Sequence, residues 1–348
     1  MKAVLLTGYG GPEKLEYRED VPAPEPAAGE VLVKVGACGV NNTDLWTREG
    51  AYGQADDPEA VGGWRRGEPM RFPLIQGADI VGRIVAVGDG VAGSRRGERV
   101  LIDPTLYAGE GDGIVGVGAI GSERDGGFAE YVTVPASNAH AVESPLSDEE
   151  LATFPTAYVT AERMLKRARV AGGETVLVTG ASGGVGSALV QLAKVRGAWV
   201  IAVVGPGKEA KVREIGADAV IARGVLDLPA AVAEVSGERP IDVVADVVGG
   251  DSFPHLLNIL RSEGRYVVAG AIAGPSVRLD LRTVYLKHLE LIGSTLGARE
   301  DFADLVRYVS GGKVKPLLAG VYPLSEIRRA QSDFQGKGFF GKLVLVPV

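Results

Sequence analysis

Hydrophobic positions along this chain change their rhythm near residue 150. Up to about residue 145, short apolar or alternating runs at 1–6, 30–35, 80–87 and 128–134 are separated by Gly, Pro and Asp clusters, which is how strands joined by turns are written. The expected product is a compact, irregular, β-rich barrel. From Leu151 the pattern becomes short apolar strands at 176–178, 200–204, 219–221, 243–245, 266–269 and 289–292, with helical stretches at 184–196, 208–215, 228–235 and 251–262 between them. Buried strands alternating with amphipathic helices predict a six-stranded parallel sheet covered on both faces. After Leu296 come one helical stretch, 301–309, and a strand-like run, 342–346, so the tail is expected to return to the first domain. The fold class is α/β, with domains at 1–150 and 151–296 and a returning segment at 297–348.

The first strand of the parallel region runs into Thr179-Gly180-Ala181-Ser182-Gly183-Gly184-Val185-Gly186 and then a helix. Strand, glycine-rich turn and helix make a dinucleotide site: small residues admit the pyrophosphate, the helix N-terminus offers N–H groups and partial positive charge, and Gly186 allows helix and strand to pack closely. Ala181 stands where the first glycine of the usual fingerprint would be. An NAD site places a carboxylate at the end of the second strand. Here that strand ends Val203-Val204-Gly205-Pro206-Gly207-Lys208, with no acidic residue before Glu209. A 2′-phosphate meets no repulsion there, and Lys208 or Lys211 can neutralise it, so NADPH is expected over NADH. Later strand ends supply further candidate contacts at Val247, Gly270, Ala271, Ser294, Thr295 and Leu296, because ligands of this fold sit at the carboxyl ends of the strands.

Composition narrows the setting. The 348 residues suffice for two ordinary domains, and 46% hydrophobic with 23% charged residues is globular usage. No apolar run approaches the roughly 20 residues that span a bilayer, and the apolar start at 1–6 is too short for a signal peptide. Cys38 is the single cysteine, so an intrachain disulfide and a cysteine-rich metal cage are both excluded, and it is expected to pack as a small apolar group. A cytoplasmic protein is expected. The net charge of −7 argues against nucleic acid as a partner, and Arg65, Arg66 and Arg71 read as a solvated loop. Residues 53–70 form a long stretch without periodicity.

Cys38-Gly39-Val40-Asn41-Asn42-Thr43-Asp44, Gly77-Ala78-Asp79-Ile80-Val81-Gly82, Thr156-Ala157-Tyr158, the glycine turn and Gly341-Lys342-Leu343-Val344-Leu345 follow one another in the order seen in medium-chain dehydrogenases. The resemblance covers essentially the whole chain. It implies a GroES-like catalytic domain, a Rossmann domain, an active site in the cleft between them, and Lys342 among the cofactor contacts. In the zinc alcohol dehydrogenases of that family a Cys, a His and a Cys or carboxylate hold the catalytic metal. The matching places here are Asn41, Ala78 and Thr156, which are no zinc set. Residues 101–124 also lack the cysteines of a structural zinc lobe. His140, His255 and His288 read as structural. Both metals are expected to be absent.

Without zinc the chain resembles the quinone oxidoreductase, or zeta-crystallin-like, branch. Asn41, Asp44, Trp46, Arg48, Gly50 and Tyr52 follow that branch's Asn…Asp…Tyr…Arg…Gly…Tyr segment, with Trp46 for a tyrosine. The long 53–70 stretch is a departure. A metal-free hydride acceptor must be electron-poor, so a quinone or α,β-unsaturated carbonyl compound is expected, with hydrogen-bond donors receiving the negative charge that develops on oxygen. Asn41 and Tyr52 are the candidate donors, and Asp44, Trp46 and Thr156 are candidates for the substrate pocket, Asp44 as a backbone-fixing group. Two other readings remain: alcohol or aldehyde redox chemistry, which wants stronger activation than Asn41 provides, and a non-catalytic NADPH-binding protein. The family also implies that the last strands of two dinucleotide sheets pair, so a homodimer is expected.

Overall fold

A computed structural model describes residues 1–52, 70–108 and 118–348. The chain divides into two compact units: Met1–Thr156 with Ala298–Gly311 and Pro316–Val348, and Ala157–Gly297 with Gly312–Lys315.

The centre of the first unit is the strand Glu30–Gly39. Its alternating Val31, Val33 and Val35 are buried, which fixes its register against the core. Among the described residues it belongs to a seven-stranded sheet with the path Ala139–Ala141, Arg99–Ile102, Asp79–Val87, Glu30–Gly39, Lys342–Val346 and Leu318–Pro323; Tyr131–Pro135 also pairs with Glu30–Gly39. Two pairings set the chemistry of this unit. Asp79–Val87 runs antiparallel to the central strand with Asp79 opposite Gly39, and Lys342–Val346 runs antiparallel on the other side with Leu345 opposite Cys38. Residues from three distant parts of the sequence therefore meet where the central strand ends. Gly39 has no room for a side chain, since a Cβ there would lie 2.5 Å from the Ala152 carbonyl oxygen and 3.0 Å from Asp79 Oδ2.

The second unit holds a six-stranded sheet, in the order Ala219–Ala222, Trp199–Val204, Thr175–Val178, Ile241–Asp246, Leu260–Val268 and Glu290–Gly293, with every neighbouring pair parallel. In chain order this is 3-2-1-4-5-6, the doubly wound Rossmann arrangement. The strand Thr175–Val178 and the helix Gly184–Val195 are deeply enclosed: all four strand residues and every helical residue from Gly186 to Ala193 are buried. Expected and observed elements differ most after the fourth strand. A helix was expected over 251–262, but it spans Phe253–Ile259 and the next strand starts at Leu260. Leu260, at φ −62° and ψ 141°, takes the chain out of helical geometry, and Glu263 at φ 61° and Gly264 lie in the irregular stretch between the Leu260 and Arg265 pairings with the fourth strand. Among the described residues no helix is long and apolar enough to cross a membrane.

Candidate active site and cofactor site

In the second unit the expected cofactor residues follow the carboxyl ends of five of the six parallel strands. The turn after Thr175–Val178 opens on Gly180 at φ 56° and places Gly183 as the N-cap of Gly184–Val195. Gly184, Val185 and Gly186 form the first helical turn, whose N–H groups have no partner four residues back. Gly186 lies against the turn so closely that a Cβ would fall 2.2 Å from the Gly180 carbonyl oxygen. Ser182 and Gly183 are accessible. Ala181 is fully buried and its N–H donates to the Val203 carbonyl at 3.1 Å, so it packs beneath the turn and offers no donor to a phosphate.

Past the second strand, Gly205 precedes half-buried Lys208 and exposed Lys211. A third cation is present that pattern reading missed. The N–H of Arg223, just after the third strand, donates to the Val204 carbonyl at 2.5 Å, and one guanidinium nitrogen comes within 4.0 Å of a Cβ position built on Gly205. Partial burial, and then the charges of Arg223 and Lys211, push the Lys208 ammonium below its ordinary value. Three cations thus crowd one strand end, an arrangement that an anion relieves. Arg223 sits alone on an exposed turn, without periodicity or motif to mark it.

A second group outside the expectations lies at the fourth strand. Buried Asp246 accepts from Thr179 Oγ1 at 2.5 Å, from the Val248 N–H at 2.8 Å, from the Gly249 N–H at 3.1 Å and from the Tyr266 hydroxyl. Thr179 Oγ1 in turn accepts from the Val247 N–H at 3.1 Å. One carboxylate therefore shapes the turn that carries Val247. Gly270 approaches the same turn, since a Cβ on it would lie 2.9 Å from the Val247 carbonyl oxygen. Ala271 follows it, half-buried. Ser294 carries a buried hydroxyl with no partner, Thr295 is exposed, and Leu296 is buried with φ 33°.

In the first unit the helix Asn42–Glu49 begins directly after the central strand, with Asn41 as N-cap. Asp44 Oδ2 accepts the Asn41 N–H at 2.7 Å, the return half of a capping box. Burial raises the Asp44 carboxyl to about 7, with the neighbouring Asp79 adding to the rise and the Asn41 N–H opposing it. Buried Arg48 anchors the helix to Gln331 and to the Gly10 carbonyl. Trp46 and Tyr52 meet edge to face at 5.8 Å between ring centroids, and burial, then the charge of Asp44, raises the Tyr52 phenol above its ordinary value. The stretch 53–69, which follows Tyr52 and includes Arg65 and Arg66, lies outside the described residues.

Asn41 and Thr156 are connected through a buried ion pair. Lys342 Nζ donates to Asp79 Oδ2 at 2.6 Å and to Asn41 Oδ1 at 2.5 Å, while Asp79 Oδ1 accepts the Thr156 N–H at 2.7 Å. The Lys342 and Asp79 side chains are 4% and 0% exposed. Two of the three places matched to zinc ligands thus converge on Asp79, and the third, Ala78, is its chain neighbour. Lys342, expected at the cofactor, has its ammonium committed to Asp79 and Asn41.

These residues do not supply a zinc site. Ala78 has no donor atom, Asn41 Oδ1 already accepts from an ammonium, and that fixed positive charge repels a second cation. Cys38 is fully enclosed, and burial raises its thiol well above the usual value. Among the described residues no group of three or more His, Cys, Asp or Glu is arranged to hold a metal ion. His140 packs against Phe302 with the rings tilted at 48° and their centroids 4.9 Å apart. Of the 101–124 stretch, residues 109–117 lie outside the described residues.

Known proteins agree with this architecture. Residues 27–144 match the alcohol dehydrogenase GroES-like domain and residues 184–311 the zinc-binding dehydrogenase family. The chain is 31% identical to an NAD-dependent alcohol dehydrogenase of Sulfurisphaera tokodaii, covering 100% of both chains. It is 33% identical to an acryloyl-coenzyme A reductase of Metallosphaera sedula, over 99% of each. Among solved structures, a "putative alcohol dehydrogenase" from Sinorhizobium meliloti 1021 shares 63% identity at a TM-score of 0.96, covering 100% of this chain and 97% of that one. With a GroES-like unit, a Rossmann sheet in 3-2-1-4-5-6 order and relatives matched over their full length, the chain belongs to the medium-chain dehydrogenase/reductase superfamily of nicotinamide-dependent oxidoreductases.

Proposed function

We propose that this protein is a zinc-independent, NADPH-dependent reductase of conjugated carbonyl compounds, of the quinone oxidoreductase type. The observation that carries the reading is the buried Lys342 ammonium beside Asn41, with Ala78 where a metal would need a donor. When bound, NADPH supplies a hydride, and in a quinone or an α,β-unsaturated carbonyl compound the accompanying negative charge arrives on an oxygen through the π system. Asn41 offers an Nδ2 donor to that oxygen, and Tyr52, kept protonated by its raised pKa, is a second donor. Trp46 walls the phenol on one side. Lys208, Lys211 and Arg223 form the seat for the 2′-phosphate that separates NADPH from NADH. The Metallosphaera relative acts, by its name, on a conjugated thioester, which agrees with this substrate class.

A second reading, alcohol or aldehyde redox chemistry, draws on the names of the Sinorhizobium and Sulfurisphaera proteins. It wants a group that lowers an alcohol's pKa, a task usually met by a metal, and an ammonium already saturated by Asp79 and Asn41 is a poor substitute. Purified, unchelated protein assayed for bound metal and for NADPH oxidation against quinones, enones, aldehydes and saturated ketones separates the two. Turnover confined to conjugated acceptors at less than a tenth of a zinc per chain is expected; one zinc per chain with alcohol oxidation would overturn the proposal.

The same reading includes a homodimer. The edge strand Glu290–Gly293 exposes Leu291, and the preceding helix Leu281–Leu286 exposes Leu281, Tyr285 and Leu286. An open strand edge beside an apolar surface suits pairing with its twofold copy. A monomeric mass by light scattering at micromolar concentration would refute it.

A further inference from the structure

Two polar atoms near the proposed catalytic centre are buried without a partner: Asn41 Nδ2 and Thr156 Oγ1. Both residues are about 92% buried, at 8% exposure each. Unsatisfied buried donors are rare in folded proteins and call for a reason. These two share a support. The Thr156 N–H binds one oxygen of Asp79, and Lys342, bound to the other oxygen, donates to Asn41.

We propose that Lys342 is a positioning residue: clamped by Asp79, it fixes the Asn41 carboxamide so that Nδ2 and the Thr156 hydroxyl together receive the oxygen on which substrate charge develops. A carboxamide can turn either end toward a neighbour, and its amino end can only donate. An ammonium has donors alone, so the end facing Lys342 must be the oxygen and the amino end must face away. The ammonium cannot swing aside, because Asp79 holds it and the Gly39 backbone closes over Asp79. The backbone of Thr156 is anchored on the same carboxylate, so the two donors, on separate helices, share the support of Asp79. An acceptor-only oxygen, as in a quinone or enone carbonyl on its way to an enolate, is the ligand chemistry that satisfies both. This inference rests on the proposed reductase activity, and it assigns Lys342 a task distinct from a cofactor contact.

The test pairs kinetics with a readout that needs no turnover. Because Lys342→Met alone strands the Asp79 charge, the informative variant is Asp79→Asn/Lys342→Met, which removes both charges. It should lower kcat for a conjugated acceptor roughly 10- to 100-fold, the scale of a lost oxyanion donor, with the acceptor KM and the NADPH Kd within about threefold. Adding Asn41→Ala to that variant should cost less than about another threefold, because the two act as one unit. Lys342→Arg should restore most of kcat. Effects that multiply, or a weakened NADPH Kd with kcat unchanged, would overturn the assignment.

The chain has four asparagines, Asn41, Asn42, Asn138 and Asn258, so side-chain amide 15N labelling gives a sparse spectrum, with Asn41 identified by its loss in Asn41→Ala. Its amide protons should shift and exchange faster in the charge-free variant. An unchanged Asn41 signal refutes the clamp. A wild type that reduces no conjugated acceptor refutes the reductase reading and the oxyanion role, while the amide signal still decides whether Lys342 fixes Asn41.

Discussion

Removing two of the three cations at the second and third strand ends should abolish the proposed preference for NADPH over NADH. The perturbation is Lys208→Ala with Arg223→Ala. Hydrogen bonds to a charged partner are worth about 1.5–3 kcal/mol each. Lys208 is only partly buried and Arg223 is exposed, so solvent screening reduces this to about 1–2 kcal/mol per residue. The double variant should therefore lose about 2–4 kcal/mol for NADPH, roughly 30- to 1,000-fold in Kd. NADH, without the 2′-phosphate, should change by less than about threefold, and slightly for the better if the cations impede it at all. Cofactor fluorescence titration at fixed ionic strength measures both constants. Salt supplies an internal control, because the Debye length falls from roughly 10 Å at 0.1 M to 3 Å at 1 M. Added salt should narrow the NADPH preference of the wild type and leave the double variant unmoved. Equal losses for the two cofactors, or a wild type that binds NADH more tightly, would refute the reasoning.

Gly186→Ala forces a methyl to 2.2 Å from the Gly180 carbonyl oxygen, so the turn must shift; binding of either nicotinamide cofactor should weaken at least about tenfold, and wild-type affinity would contradict the close approach. Asp246→Ala releases two backbone N–H groups and two hydroxyls inside the second unit, a loss of about 3–5 kcal/mol seen as a fall in the thermal midpoint of that unit, with Tyr266→Phe costing about 1 kcal/mol. His140 is depressed to about 4 by burial first and by Arg95 and Arg299 next. The unfolded chain therefore binds the proton more readily, and stability is full above the unfolded value of 6.5 and is lost as pH falls from there toward 4, by on the order of 2–3 kcal/mol. Asp44 and Asp103, raised to about 7, act in the opposite sense across the same window. The clean measurement is thus the wild type minus His140→Gln in urea midpoints at pH 4.5 and 7.5, and parallel curves would refute it. Tyr52→Phe should reduce kcat several-fold with KM little changed, and unchanged turnover would remove the phenol from the mechanism.

The parallel strands were legible because each contains a short apolar run, and the central ones, Thr175–Val178 and Ile241–Asp246, are buried throughout, so pattern alone reported them. The glycine turn was legible because backbone proximity, as at Gly186, leaves residue type almost no freedom. Where local pattern and tertiary geometry parted, the sequence was silent or misleading. The stretch at 251–262 has helical composition, and the helix ends at Ile259 because Leu260 is extended and pairs with Ile241 of the fourth strand. Arg223 gains its meaning from the Val204 carbonyl and Gly205, 18 and more residues away on a neighbouring strand, and an isolated surface arginine carries no such mark. The proposed catalytic centre shows the same limit most sharply. Asn41 and Lys342 are 301 residues apart in sequence, and they meet because Lys342–Val346 pairs beside Glu30–Gly39 while Asp79 is registered opposite Gly39 from the other side. Motif spacing could mark Asn41, Ala78 and Thr156 as the places matched to zinc ligands. It could not reveal what stands there instead, because a buried lysine and aspartate in separate motifs are ordinary residues until sheet register brings them together. Under the proposed reading, an ammonium fixes a carboxamide at a place matched to a zinc ligand, and a substrate electron-poor enough to take hydride without a metal follows from the weaker polarising power of hydrogen-bond donors.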